Sequence, residues 1–218
     1  MAPTKRKKSA PKLTLRPAAA RAPKTPVSIH ELEISLCEIE PRVWRRFAVR
    51  SNITLAKLHD IVQVVMGWMD SHLHQFVTND DTHYAPLSPY GDPDWDERVS
   101  NSGKVRVHDV LPTKGAQLLY QYDFGDGWEH DVILEALLPP GNDGRYPIVE
   151  AGRRACPPED VGGIHGYAHF LEVLANPKHP EHQDMLEWVG KPVDPASFDV
   201  TQANLDIHGG WVRRNSDA

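Results

Sequence analysis

Three short stretches hold most of the side chains that could do chemistry. Asp123, Asp126, Glu129 and His130 surround the glycines of YDFGDGWEH, Glu159 and Asp160 follow the paired prolines of ACPPEDVGGIHGY, and His72 and His74 alternate in SHLHQF. Gathered on one ion, Asp123, Asp126, Glu159 and Asp160 would supply hard oxygen ligands for magnesium or manganese, and such an ion activates water. His72 and His74, two apart in a strand, would project to one side, a zinc-chelating geometry that His130 could complete. Either chemistry requires segments distant in sequence to converge in space. The plain alternative is that hydroxyls or carbonyls satisfy the imidazoles and the acids face water.

The element that must position these groups runs from Gln117 to Leu138, two alternating runs around Gly125-Asp126-Gly127, which is the pattern of a β-hairpin. Setting Phe124 opposite Trp128 puts Tyr122 against His130, Tyr120 against Val132 and Leu118 against Leu134, so that one face is apolar apart from His130. The pattern therefore predicts a three-residue loop with Gly127 at positive φ. Asp123 would then face Glu129, a like-charge pair that asks for a nearby cation.

Around this hairpin the chain reads as further strands and then helices. Leu32, Ile34 and Leu36 alternate with Glu31, Glu33 and Ser35, and Glu40-Pro41 separates them from a returning strand over Val43 to Val49. Arg45 shares a face with Phe47 and Val49 there, while Trp44 and Arg46 take the other. Thr54 as N-cap, a stripe of Leu55, Leu58, Ile61, Val62, Val65 and Met66, and Gly67 as a stop predict an amphipathic helix over about 54–67. Ser71 to Val77 reads as a third strand. Asn79 to Gly103, dense in Asp, Pro, Ser, Asn and Gly, reads as a long loop with a short strand near 82–87, placed to close over the hairpin. After Leu138 the pattern predicts helices over about 165–176, 180–189 and 201–207. Gly162-Gly163 before a helix invites an anion, yet Glu159 and Asp160 would repel one and no P-loop lysine is present. The fold class is α+β: a single domain over 27–208, its mainly antiparallel sheet built from hairpins and packed by the 54–67 helix, with an α-rich C-terminal half and a frayed tail over 209–218.

Charge is unevenly spread over the 218 residues. The net −6 hides eight Lys or Arg and no acids in residues 1–26, leaving 16 basic against 30 acidic side chains, or −14, elsewhere. The 1–26 segment lacks apolar periodicity and reads as a disordered basic tail. Its Lys5, Arg6, Lys7 and Lys8 suit non-specific nucleic-acid contact, or act simply as a solubilising extension. Two cysteines, Cys37 and Cys156, in no CxxC pair, support neither a disulfide framework nor a thiolate zinc site. With no signal peptide and no apolar run of membrane length, a cytoplasmic location without membrane contact is expected.

ITLAKLHDIVQVVMGWMDSHLHQF, YDFGDGWEH and ACPPEDVGGIHGY, in this order along the chain, make the sequence resemble the plasmid pRiA4b ORF-3-like family over about residues 28–207. The resemblance implies a single α+β domain. Some family members carry the label of resolvase or mobile-element passenger, but the acidic charge of this domain is the wrong sign for gripping a phosphodiester unless metals intervene. The family carries over no catalytic residue.

Two functions follow. The favoured one is a soluble, non-enzymatic binding or accessory module, with a mobile-element association implied by the resemblance and a pocket at the 122–130 hairpin for a small ligand or protein partner. Trp44, Trp68, Tyr122, Trp128 and Tyr167 would line it, with Asp123, Asp126, His130, Glu159 and Asp160 as its polar groups. The alternative is a metal-dependent hydrolase or nuclease, using Asp123, Asp126, Glu159 and Asp160 with the nearby histidines and a divalent metal as cofactor.

Overall fold

The computed structural model describes residues 27–87, 99–140, 145–190 and 193–209. Alternation becomes pairing where it was expected. β1 (Ile29–Leu36) and β2 (Trp44–Arg50) form the first antiparallel hairpin, and α1 (Leu55–Met66) follows. Thr54 Oγ1 accepts from the Lys57 N–H at 3.2 Å, and Gly67 ends the helix at φ 89°, a conformation open to glycine because it has no Cβ. β3 (His74–Thr78), β4 (His83–Ala85) and β5 (Val99–Asn101) precede a single helical turn, α2 (Val107–Val110). The central hairpin is β6 (Gln117–Tyr122) with β7 (Trp128–Leu138), and β8 (Ile148–Arg153) adds the last strand. The helices α3 (Gly163–Ala175), α4 (His182–Val189) and α5 (Val200–Gly209) complete the C-terminal half.

All eight strands join one sheet in the order β5-β4-β3-β6-β7-β1-β2-β8, antiparallel except for β4 with β5. The central hairpin thus inserts between β3 and β1. Its apolar face is continuous with theirs: Phe76 pairs with Tyr120, Ile34 with Val132 and Leu32 with Leu134. This face packs beneath the stripe of α1, where Leu55, Leu58, Ile61, Val62, Val65 and Met66 are all buried. Removing these twelve large side chains from water, at roughly 1.5–3 kcal/mol each, is the main force that holds the layers together. The opposite face is polar. Glu33 there takes Arg42 and Arg46, each at 2.9 Å.

Arg45 is the exception on the buried face. Only 1% exposed and with no carboxylate partner among the described residues, it donates to the carbonyls of Val65, Trp44 and Arg153 and stacks 3.8 Å over Phe198. Burial lowers its pKa to about 10. The guanidinium therefore ties α1, β8 and the segment before α5 together.

The central turn departs from the expected register. Tyr122, not Phe124, pairs with Trp128, and Tyr120 pairs with His130, so the loop has five residues, 123 to 127. Asp123 explains the difference. It takes the left-handed conformation at φ 54°, and its Oδ1 accepts from the Gly125 and Asp126 N–H groups at 3.0 and 3.3 Å, capping the wider turn locally. Phe124, at 48% exposed, contributes too little burial to pull the ladder two residues tighter. A two-residue slip preserves which face each side chain takes, so the apolar ribbon survives the change. Asp123 consequently does not oppose Glu129. Gln121 does, and its amide donates to Glu129 at 2.7 Å. Gly127 has the expected positive φ, 69°.

β3 starts at His74, later than the sequence pattern suggests, which leaves His72 in the connection from α1. α5 runs to Gly209, so the helix extends into the stretch read as a frayed tail. The basic tail over 1–26, with Lys5, Arg6, Lys7 and Lys8, lies outside the described residues, as do 88–98 of the long loop and 210–218.

Candidate functional site

The connection Trp68 to Leu73 is where three distant segments meet. Its backbone is fixed one residue at a time. The Met69 N–H donates to Glu159 at 2.8 Å, the Asp70 N–H to Gln63 at 2.9 Å, and the Ser71 N–H to the Tyr122 hydroxyl at 3.0 Å. The Leu73 carbonyl accepts from the Asp123 N–H at 2.9 Å, and the Trp68 indole donates to the Pro157 carbonyl at 3.0 Å. The end of α1, the hairpin turn and the Pro-Pro-Glu-Asp segment are therefore welded together through backbone groups.

This weld surrounds one imidazole with acids. His72 Nε2 lies 3.0 Å from Asp160 Oδ1, 3.4 Å from Glu159 Oε2 and 3.5 Å from Asp123 Oδ2, and no hydrogen bond to it has acceptable geometry. Ligand atoms of His72, Asp123 and Asp160 fall within 4.8 Å of one another. Glu159 is held by the Tyr122 hydroxyl, which donates to it at 3.0 Å. Burial and then the charge of Glu159 push the Tyr122 pKa up, so the phenol keeps the proton it donates. The side chains of Asp123 and Glu159 are 9% and 10% exposed, whereas that of Asp160 is 69% exposed. One side of the cluster thus opens to water.

Aromatic rings make the floor. Trp68 stacks on Tyr122 at 4.9 Å, with Trp128 at 6.2 Å and His130 edge-on at 5.2 Å. All of these are buried. Asp126 is not with the other carboxylates. Its Oδ2 accepts from the Gly162 N–H at 3.0 Å, fastening the turn to the start of α3. Gly163 is required at that contact, because a Cβ there would stand 2.4 Å from the Asp126 carbonyl oxygen and its φ is 66°. Tyr167 is buried beside Phe170, one turn into α3. Trp44 sits on the polar face of the sheet near Arg46 and does not join the cluster.

The three histidines of the zinc reading are separated. His130 is fully buried, with Nδ1 on the Tyr120 carbonyl at 3.2 Å, and burial holds its pKa down at about 3. His74 turns into the core and stacks flat on His59, ring centres 3.3 Å apart, and burial followed by the charge of His59 lowers its pKa to about 3. Only His72 meets the acids. The reason is the late start of β3: without strand geometry at 72, the two-residue alternation no longer aligns 72 with 74.

His59, Gln63, Asp70 and Tyr120 form a second polar cluster that motif reading passed over. Gln63 donates to the Tyr120 hydroxyl at 2.9 Å, which meets His59 Nδ1 at 2.9 Å, and His59 Nε2 meets Asp70 Oδ1 at 2.9 Å. Desolvation would raise the Asp70 pKa, but the hydrogen bond and charge of His59 bring it below the usual carboxylate value. A signal existed: His59 and Gln63, four apart, interrupt the buried stripe of α1 with polar groups.

Beside Asp160 a cleft of about 360 Å³ runs between α3 and α4, with Glu181, Asp184, Met185 and Trp188 on its walls. The two thiols are unsuited to react. Burial pushes Cys156 up to about 12 and Cys37 up to about 11.

The fold and cluster define a class: one hairpin-built α+β sheet whose central turn, a helix-to-strand connection and a Pro-Pro-Glu-Asp segment converge on a group of acids. The chain belongs to the plasmid pRiA4b ORF-3-like family, whose family model matches residues 28–202. It is 38% identical over 193 residues to the uncharacterized protein y4hQ of Sinorhizobium fredii (strain NBRC 101917 / NGR234), covering 86% of this chain and 96% of that one. Among solved structures it is similar to the protein of unknown function MM3350 from Methanosarcina mazei Go1, at 36% identity and TM-score 0.72, covering 82% of this chain and 98% of the other. Among the described residues no helix is long and apolar enough to cross a membrane.

Proposed function

We propose that the protein is a binding module for a divalent cation, held by Asp123, Glu159, Asp160 and His72. The observation that carries this reading is a set of distances. Donor atoms about 2.1 Å from one ion stand about 3.0 Å apart at right angles and about 3.4 Å apart at tetrahedral angles. From His72 Nε2 the three carboxylate oxygens lie at 3.0, 3.4 and 3.5 Å, lengths that fit the edges meeting at that nitrogen; ligand atoms of His72, Asp123 and Asp160 lie within 4.8 Å of one another, and Glu159, outside that mutual set, turns inward to join them. One nitrogen among carboxylates suits manganese better than the all-oxygen preference of magnesium.

The test is a calorimetric and thermal titration of chelator-treated protein with Mn²⁺. At about 100 times Kd the ion adds about 2.7 kcal/mol of stability, which for this size raises Tm by roughly 5–10 °C. Asp123→Asn with Asp160→Asn should abolish both signals. Substoichiometric heat and an unmoved Tm would overturn the reading.

One observation favours a second reading, hydrolysis by a metal-activated water: the exposed Asp160 leaves one side of the ion open for such a water. The adjoining cleft bears Asp160, Glu181 and Asp184, with His169 paired to Glu181 at 2.7 Å, an acidic wall that favours a neutral or cationic group beside the ion. Mn²⁺-dependent release of product from a panel of amide and ester substrates would support this reading, and inertness of the manganese-loaded protein would leave the binding module alone.

A further inference from the structure

From the inner cluster we infer that His59, Asp70 and His74 form a second, nitrogen-rich site for zinc, separate from the carboxylate cluster. Ligand atoms of the three side chains lie within 4.8 Å of one another. His74 is only 7% exposed, and its Nε2 is buried with no hydrogen-bond partner. A buried, unpartnered ring nitrogen is costly, and a metal ion relieves that deficit where no described protein donor or acceptor does.

The surroundings are those of a metal centre in waiting. His59 Nδ1 already meets the Tyr120 hydroxyl at 2.9 Å, and that hydroxyl is fixed in turn by the Gln63 amide. Zinc-bound imidazoles depend on an outer partner of this kind, which sets ring orientation and tautomer. Asp70 occupies a left-handed backbone position, φ 57°, with its N–H held by Gln63, so the carboxylate is aimed at His59 by the same residue that anchors Tyr120. Donors around a tetrahedral zinc at 2.0–2.1 Å are about 3.3–3.4 Å apart. The two rings now lie parallel with their centres 3.3 Å apart, so neither plane contains a shared ion as they stand; His74, whose Nε2 has no partner among the described residues, turns out of the stack to bring its lone pair to the ion, and a rotation of Asp70 closes the set. Two imidazoles and one carboxylate leave a fourth position for water. Asp70, whose side chain is 34% exposed, is the entry side.

This site is independent of the outer one. Its donors are two buried nitrogens and the oxygen of a part-exposed carboxylate, against one nitrogen and three carboxylates of which only Asp160 is openly exposed. Imidazole selects zinc, cobalt and nickel, whereas carboxylates select manganese and magnesium.

The test uses the full-length protein, stripped with chelator and titrated with Co²⁺ as a coloured substitute for zinc. One equivalent should give the strong visible absorption of four-coordinate cobalt, and Zn²⁺ should displace it. His74→Ala should weaken this signal at least ~100-fold, since even outer partners of a metal are worth 10–100-fold. Asp123→Asn with Asp160→Asn should leave it intact. Should His74→Ala fail to fold, X-ray absorption on the zinc-loaded wild type reads the same claim through its two imidazole scattering paths. Absence of four-coordinate absorption in the folded wild type, or a zinc spectrum with a single imidazole, overturns the inference. So does a cobalt signal that survives His74→Ala and disappears in the outer double variant. Loss of manganese binding alone speaks only against the outer site.

Discussion

The acids around His72 and the histidines around His59 flank the same short connection, and they differ in how water reaches them. Outside, Asp160 is 69% exposed and three carboxylates share one imidazole. Inside, His59 and His74 lie face to face under α1, and a hydrogen-bonded chain from Gln63 to Asp70 leaves a single nitrogen unsatisfied. Repulsion among acids is tolerable where solvent screens it, whereas an uncompensated donor or acceptor is not tolerable in the core. The contrast teaches that the outer cluster is a surface assembled by folding, while the inner one is part of the core. Substitutions should therefore separate binding from stability outside and couple them inside.

The largest expected effect is at the joint that assembles the outer surface. Gly163→Ala places a Cβ against the Asp126 carbonyl at a positive φ, which should destabilise the protein by about 3 kcal/mol. Urea unfolding would measure it, and cation affinity should fall in parallel because the hairpin turn and the acidic segment are pushed apart. An unchanged midpoint would mean that the two segments do not need this contact.

Next is the pH dependence of the core. The folded-state pKa of His130 is depressed to about 3 from 6.5, so its contribution is fully present above pH 6.5 and is lost as pH falls from there toward 3, where the unfolded chain binds a proton that the folded chain refuses. His130→Leu should make stability less steep over that window by about 1.4 kcal/mol per pH unit. Parallel curves for the two proteins in metal-free buffer would show that His130 is not held neutral.

A smaller effect divides the two roles of Asp123. Asp123→Ala loses the turn cap on the Gly125 N–H as well as a carboxylate, costing on the order of 1 kcal/mol. Asp123→Asn keeps an acceptor and tolerates the left-handed conformation, so stability should hold within about 0.5 kcal/mol while Mn²⁺ affinity drops at least ~10-fold. Equal stability losses in both variants would contradict the separation. Smallest of all, Gln121→Ala removes two cross-strand hydrogen bonds on the solvent face, to Glu129 and from Gln75, and should cost less than about 1 kcal/mol in thermal unfolding.

Much of this architecture was legible in the sequence, and for identifiable reasons. Thr54, the apolar stripe of α1 and Gly67 fix the helix almost to the residue because each rests on a local rule. The faces of the central hairpin were readable from alternation alone. Its loop length was not, because a slip of two residues keeps every face and the deciding factor was a side-chain cap by Asp123. The convergence of Asp123 with Glu159 and Asp160 was readable only as a requirement, since nothing local to either segment encodes their distance. His72 and His74 misled because their alternation presumes a strand running through both, whereas β3 begins only at His74. His59 and Gln63 left a readable trace, polar residues on the buried side of a helix, but Asp70 and Tyr120, their partners, become neighbours only when β3 docks on β6.

The central claim is that two stretches remote along the chain build one cation site. A manganese-soaked crystal, with anomalous scattering recorded at the metal edge, tests it most directly. The account expects a strong peak about 2.0–2.6 Å from oxygens of Asp123, Glu159 and Asp160 and from His72 Nε2. Density at one stretch without the other, or no peak in crystals that bind manganese elsewhere, would contradict it.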